Sequence, residues 1–349
     1  MSGRRALFLL IVTVVFGAVL VYPPLRFWSL LLPTTSLPWL AAIALFATPF
    51  IVRFIHEHKS NATTRVLSAT VLTWIGISFL GLVLLIPVEI LLALGLPQQP
   101  TATFALVVLG ALASYALYNA HPLHIHELEI QETRAASGKH IAQISDLHLG
   151  SRQPGLLRRV VSQTQVLQPD YVVLTGDIID MRGITEAHLA PLKTLGMPVV
   201  FCIGNHERYV DLEDICARLR NVGVHVLRNE CLEIDDIQFI GIDDAEARDQ
   251  VKIEIAKLSP NPDKYKVLLY HRPDGAEDAA RWGAQLMLTG HTHRGQIVPF
   301  NYLVKRVFPR LFRDYAVDGL TLYVSPGTGT WGPVMRLGSK CEITSIRLL

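Results

Sequence analysis

Apolar and polar positions divide this chain in two near residue 120. Before that point lie four long apolar stretches, at about 6–22, 38–54, 67–95 and 103–119, with hardly a charge among them. A helix crossing the hydrocarbon core of a bilayer takes about 20 apolar residues, with roughly 17 as the lower bound. Three of the stretches are near that bound, and the third is long enough to tilt or to kink at Pro87. Four buried helices of a soluble protein would match the lengths but not the scarcity of charge. The first run follows Arg4 and Arg5 and passes into Tyr22-Pro23-Pro24 without a small-residue cleavage site, with further spans behind it. It is expected to be a retained helix rather than a signal peptide. Residues 1–120 therefore read as a transmembrane region and 121–349 as a separate domain.

After His121 the period shortens to β-rich runs separated by helical or turn-rich segments. Expected strands are 140–145, 171–175, 198–203, 224–227, 238–242, 266–270, 285–289, 321–325 and 342–347, with a first strand and turn within 121–139. Expected helices include 155–167, 187–195 and 212–221. Strands alternating with helices predict an α/β domain, whose sites collect at strand C-termini.

Five short segments stand directly after such apolar runs. They are Asp146-Leu147-His148, Gly176-Asp177, Gly204-Asn205-His206-Glu207, the isolated His271, and Gly290-His291-Thr292-His293. Each alone is weak, since an aspartate or histidine in such a place is usually a cap or a turn residue. All five in this order resemble the calcineurin-like metallophosphoesterase family, whose pattern is D-x-H, GD, GNH, H and GHxH. The resemblance runs from about Ile141 to Arg294 and does not touch the first 120 residues.

The residue types suit the chemistry. Hydrolysing a phosphate ester brings an anionic nucleophile to an anionic phosphorus, which two metals about 3.5–4 Å apart make possible. Such a pair takes carboxylate oxygens and neutral imidazoles, and a mixed O/N site accepts Mn, Fe or Zn. The resemblance implies Asp146, His148 and His293 on one divalent metal ion, Asn205, His271 and His291 on a second, and Asp177 bridging both. It also implies two mixed β-sheets packed as a sandwich and flanked by helices, and attack by a metal-bridged hydroxide. Two residues apart on an extended strand, Asp146 and His148 would point the same way. Gly290 is expected to relax the backbone of the His291–His293 loop. His206 is not a ligand in the family pattern; it is placed to protonate the leaving oxygen or to stabilise the transition state. Asp180 holds the position of a carboxylate that orients this histidine in related phosphatases. The arginine that follows it there has no counterpart, because Met181 intervenes before Arg182.

Charge narrows the partners. Six Lys/Arg and two Asp/Glu precede His121, leaving 26 against 28 for the remainder. That near-neutral balance argues against a nucleic-acid partner. Arg4, Arg5, Arg53, Lys59 and Arg65 flank one side of the four spans, against Arg26 alone on the other. The bias predicts a multi-pass protein of the cell (inner) membrane with its catalytic domain in the cytoplasm. Four cysteines without paired spacing agree with a reducing compartment. Glu89 is the one acid well inside a span, and its role stays open.

Residues 299–313 interleave Lys305, Arg306, Arg310 and Arg313 with Phe300, Tyr302, Leu303, Phe308 and Phe312. Two readings stand: a segment resting on an anionic bilayer surface, or an amphipathic cover on the core. The Gly-rich stretch 325–338 resembles the closing segment of membrane-associated family members, with Arg336 placed to contact a phosphate.

The expected function is a membrane-anchored phosphoesterase acting on a phosphodiester or pyrophosphate. The membrane region together with the basic, aromatic segment 299–313 favours a lipid-linked substrate. The functional precedent is the calcineurin-like UDP-2,3-diacylglucosamine hydrolases, some of them membrane-bound. The alternatives are a tethered enzyme for soluble nucleotides or phosphoproteins, and a non-catalytic membrane sensor that retains the fold.

Overall fold

The computed structural model describes residues 13–132 and 136–349. It divides into two compact units, one ending at Tyr118 but taking in Gly332–Met335, the other Asn119–Trp331 with Arg336–Leu349.

In the first unit four helices are long and apolar enough to cross a membrane: α1 (Thr13–Leu31), α2 (Trp39–His58), α3 (Ala62–Ala93) and α4 (Gln98–Asn119). Helix α1 runs well past the expected end at Tyr22. A π-helical turn at Gly17–Val21 passes into a fresh α segment at Tyr22, so that proline falls in its first turn, where a missing N–H costs nothing. The stretch 6–12 of the expected span lies outside the described residues. Helix α3 begins earlier than hydropathy indicates because Asn61 and Thr64 cap it reciprocally, satisfying N–H groups that a helix start leaves unpaired. Arg26 of α1 meets Glu89 of α3 through two bonds, Nε to Oε1 at 2.6 Å and a second of 2.9 Å. The acid inside the span is thus an ion-paired one.

The second unit holds two six-stranded sheets. The strands are β1 (Leu123–Ile130), β2 (His140–Ile144), β3 (Tyr171–Thr175), β4 (Val199–Cys202), β5 (Val224–Leu227), β6 (Glu230–Ile234), β7 (Ile237–Gly241), β8 (Tyr265–Leu269), β9 (Leu286–Thr289), β10 (Arg313–Val317), β11 (Leu320–Val324) and β12 (Cys341–Leu348). One sheet has the order β1-β12-β2-β3-β4-β5 and the other β10-β11-β9-β8-β7-β6. Both are mixed. Strands β2 to β5 run parallel, as do β7, β8, β9 and β11, with antiparallel pairs at β12–β2, β10–β11 and β6–β7.

Alternate residues explain the layers, since successive side chains of a strand face opposite ways. Ile141, Tyr171, Val173, Val200, Phe239, Val267, Leu286 and Leu288 fill one buried cluster shared by the two sheets. Ala142, Val172, Leu174 and Phe201 turn the other way, onto helices α5 (Gly155–Leu167) and α7 (Leu212–Asn221). The second sheet turns Ile240, Leu268 and Met287 onto α8 (Ala276–Trp282). The short α6 (Asn205–Val210) follows β4 directly, and α9 (Phe300–Val307) follows the loop after β9. The parallel strands of both sheets therefore carry their C-terminal ends into loops that hold the candidate ligands.

Candidate metal centre

Each candidate ligand stands just past the end of a parallel strand. Asp146 and His148 follow β2, Asp177 follows β3, Asn205 follows β4, His271 follows β8, and His291 and His293 follow β9. The loops meet. Donor atoms of Asp146, His148 and His293 lie within 4.8 Å of one another, as do those of Asp177, His271 and His291. A third group, His148, Asp177 and His206, joins the two. Asp177 Oδ2 stands between the sets, 3.8 Å from His148 Nε2 and 3.1 Å from His271 Nε2. Asp146 Oδ1 is 3.3 Å from His293 Nε2 and 4.0 Å from His271 Nε2.

The chain reaches this arrangement by an unexpected backbone. Asp146, His148, Asp177, His291 and His293 all have left-handed φ, between 48° and 70°. Non-glycine residues pay for such a conformation and hold it only where surrounding structure imposes it, commonly at functional sites. The Asp146–His148 segment is therefore not extended, contrary to the expectation from strand alternation. Close packing supplies the constraint. Thr328 and Gly329 donate backbone N–H groups to the carbonyls of Ser145 and Asp146, at 2.7 and 2.9 Å. The Gly-rich stretch thus braces the Asp146 loop. Gly290 has ordinary φ, but a Cβ there would lie 2.0 Å from Ser145 Oγ and 2.3 Å from Asp146 Oδ2. Its function is close approach rather than backbone freedom.

Outer groups orient the ligands. His271 Nδ1 donates to the Thr175 carbonyl at 2.8 Å, leaving Nε2 to face Asp177. Ser145 Oγ donates to Asp146 Oδ2 at 2.6 Å. Beneath them Gln143 Nε2 donates to Thr175 Oγ1 and to the Thr289 carbonyl, both at 2.9 Å, tying the ends of β3 and β9. The buried Glu207 carboxylate accepts from the N–H groups of Asp177, Ile178, Ile179 and Gly204 at 2.7–3.0 Å. Of these, only Glu207 stands within a recognisable motif; Gln143, Ser145 and Thr175 look like ordinary strand residues.

Two assignments change. Among the described residues Asp180 is in contact with His148 rather than His206: it sits 3.3 Å from His148 Nδ1 and accepts from the Ser151 N–H at 2.9 Å and the Ser151 hydroxyl at 2.5 Å. The turn at Gly150, with φ of 128°, brings Ser151 over the carboxylate and fixes it behind His148. His206 instead has its backbone N–H on Asp177 Oδ1 at 2.8 Å and its Nε2 4.0 Å from Asp177 Oδ2, with the side chain 19% exposed. Arg336 is fully buried and so is no surface phosphate contact. Its guanidinium donates to the carbonyls of His293, Gly327 and Gly329 and lies 3.3 Å from His293 Nδ1.

The donor set fits divalent cations. His148 Nε2 and His293 Nε2 are 3.0 Å apart, and imidazole lone pairs that close repel unless a cation or proton lies between. Asn205 Oδ1 is buried and accepts no hydrogen bond among the described residues, a costly state for an amide oxygen. Burial pushes the Asp146 and Asp177 carboxyls up, but the facing histidines hold both below the usual carboxylate range. Burial pulls His271 down, yet Asp177 and Asp146 outweigh it and raise it to about 10. The carboxylates thus prepare a place for positive charge. Burial lowers His291 to about 3 and His293 to about 4, the neutral form that metal ligation requires.

A family model for calcineurin-like phosphoesterases matches residues 139–295. A "Transmembrane protein with metallophosphoesterase domain" of Danio rerio is 34% identical over 271 residues, covering 70% of this chain and 62% of its own. An uncharacterized metallophosphoesterase of Aquifex aeolicus is 31% identical over 263 residues, covering 70% of this chain and 98% of its own. The uncharacterized metallophosphoesterase YkuE of Bacillus subtilis is 30% identical over 280 residues, covering 70% and 94%. The chain spans about 62% of the length of the Danio rerio relative. The matched segment holds every candidate ligand and the strands that carry them, and the Aquifex aeolicus relative is covered almost throughout, so the chain belongs to the calcineurin-like metallophosphoesterase family.

Proposed function

We propose that the protein is a membrane-anchored, two-metal phosphoesterase that hydrolyses a phosphodiester or pyrophosphate bond of a lipid-linked substrate. The observation that carries the reading is the convergence of two buried carboxylates, four buried or half-buried imidazoles and the unpartnered Asn205 oxygen. Asp146, His148 and His293 would hold one ion, Asn205, His271 and His291 the other, with Asp177 shared. Mn, Fe and Zn all suit this mixture of oxygen and nitrogen. When bound, the ions activate water near neutral pH and neutralise phosphoryl oxygens.

The protein's own groups do the rest. His206, beside Asp177, is only partly buried, and burial lowers its pKa, with Asp177 opposing. It donates a proton from its imidazole to the leaving oxygen. Asp180 steadies His148, Thr175 fixes the tautomer of His271, and Glu207 holds the loops of Asp177 and Asn205 together.

Four apolar helices in the same chain support a membrane anchor, and homologues bear transmembrane names. Because Arg26 lies within α1 and is ion-paired, the connection between α1 and α2 carries no basic residue. Lys59 stands in the next connection, with Arg53 and Arg65 at the flanking helix ends. This asymmetry favours a cytoplasmic catalytic domain. A substrate carried by the inner leaflet then lies on the same side.

The test is hydrolysis by purified full-length protein with Mn on two substrates, bis(p-nitrophenyl) phosphate and UDP-2,3-diacylglucosamine in mixed micelles, each against Asp177→Asn. Metal-dependent turnover that prefers the lipid upholds the proposal. Turnover of the small diester alone removes the lipid and leaves the tethered soluble-substrate enzyme; silence on both, with metal bound, favours the sensor.

A further inference from the structure

Helix α9 has no buried residue. On its wheel Phe300, Leu303, Val304 and Val307 share one face, following the i, i+3, i+4, i+7 spacing. In a helix that covers a core this stripe is hidden. Here Phe300 is 39%, Leu303 55% and Val307 52% exposed. The helix approaches the domain at Asn301: a Cβ on Gly295 would lie 2.2 Å from Asn301 Cα and 2.6 Å from its Cβ. Over Phe300–Val307 the stripe is therefore not hidden against a core, although Leu311 further along the same segment is buried.

Charge identifies the occupant. Arg310 is engaged by Glu277 at 2.5 Å and Arg313 by Glu342 at 3.4 Å. Lys305 and Arg306, on the helix itself, have no acidic partner among the described residues and are exposed. An apolar stripe flanked by two uncompensated cations is complementary to an anionic lipid surface. A bilayer is also at hand, because only residues 120–122 separate α4 from β1.

We infer that α9 lies in the headgroup region of the anionic leaflet, its Phe300–Val307 stripe towards the acyl chains, and that it borders the entry of a lipid substrate. The inference rests on the membrane-anchored reading. The helix leads straight into Phe308, whose ring meets that of His291 edge-on with centroids 5.0 Å apart. Exposed rings continue around the centre: Tyr209 lies 5.9 Å and Trp331 6.5 Å from the His206 ring. Aromatic rings thus stand beside both His291 and His206, the first of them at the end of the stripe.

The test uses the full chain in phosphatidylglycerol-containing nanodiscs, with Cys231→Ser to remove the least buried native thiol. A polarity-sensitive fluorophore is placed at Leu303→Cys, or at Val166→Cys as a control on α5, where the native side chain is 82% exposed. A helix buried about 5–10 Å into the interface predicts strong quenching by spin-labelled lipid at 303 and almost none at 166. Combining Lys305→Gln with Arg306→Gln should lower the inserted-to-free ratio at 303 roughly thirtyfold. No lipid quenching at 303, equal quenching at both sites, or shielding from water without lipid quenching (a protein contact) each overturns the inference. Hydrolysis of bis(p-nitrophenyl) phosphate, measured on the same samples, reports on the metal centre separately: activity without quenching refutes the helix and not the enzyme.

Discussion

Residue by residue, the proposed site separates groups that would hold metal from groups that would work beside it. His206→Ala should lower turnover by about 10²–10⁴-fold while metal content, measured by mass spectrometry, stays near wild type; full activity would remove its role as proton donor. Arg336 acts at one remove. Its buried guanidinium pins the His293 carbonyl and ring, so Arg336→Met should weaken metal binding about 10–100-fold, with Arg336→Lys recovering part of it. Unchanged affinity in a folded variant would make it a purely structural contact. The ligand types were legible in the sequence because the chemistry demands them and the motifs keep them in order. Their backbone was not, since an aspartate or histidine at positive φ leaves no mark on hydrophobic pattern. Asp180 shows the same limit: its neighbour is chosen by how Ser151 folds over it, which no spacing reveals.

At the scale of elements, the strongly patterned pieces were readable and the rest were not. Helices Gly155–Leu167 and Leu212–Asn221 and strands Tyr171–Thr175 and Val224–Leu227 fall where periodicity puts them. Strands β6 and β10 escaped because they sit at or beside sheet edges, where Glu230, Glu233, Arg313 and Asp314 break the apolar run. Helix α9 escaped because its apolar stripe covers no core. Loops obey contact more than pattern, and Gly290 is the sharpest case. Gly290→Ala should force Asp146 and Ser145 apart and reduce bound metal as well as activity, by at least the 10–100-fold typical of disturbed ligand support. Metal titration followed by calorimetry decides this, and wild-type affinity would mean that the loop relaxes around the added methyl.

Across the whole molecule, the proposed metal centre would also be a structural joint. Ligands from the strand ends of both sheets close on it, with two carboxylates buried among histidines. Binding that occurs only in the folded state stabilises by about 2.7 kcal/mol when free metal stands at 100 times its Kd. Chelation should therefore lower the melting transition of the catalytic domain, with the α-helical signal of the membrane region little changed; identical melting with and without chelator would argue against ions held between the sheets. The four long apolar helices were visible in the sequence from hydropathy alone. The Arg26–Glu89 pair was not, because its partners are brought together by packing of helices remote in sequence.

The most direct test of the central claim strips the full-length protein with chelator, restores Mn, and follows bound metal and bis(p-nitrophenyl) phosphate hydrolysis together. About two ions per chain should return together with activity, and Asp177→Asn should recover neither. Hydrolysis that persists in the stripped protein, or an Asp177→Asn variant that binds metal and turns over like wild type, would contradict it.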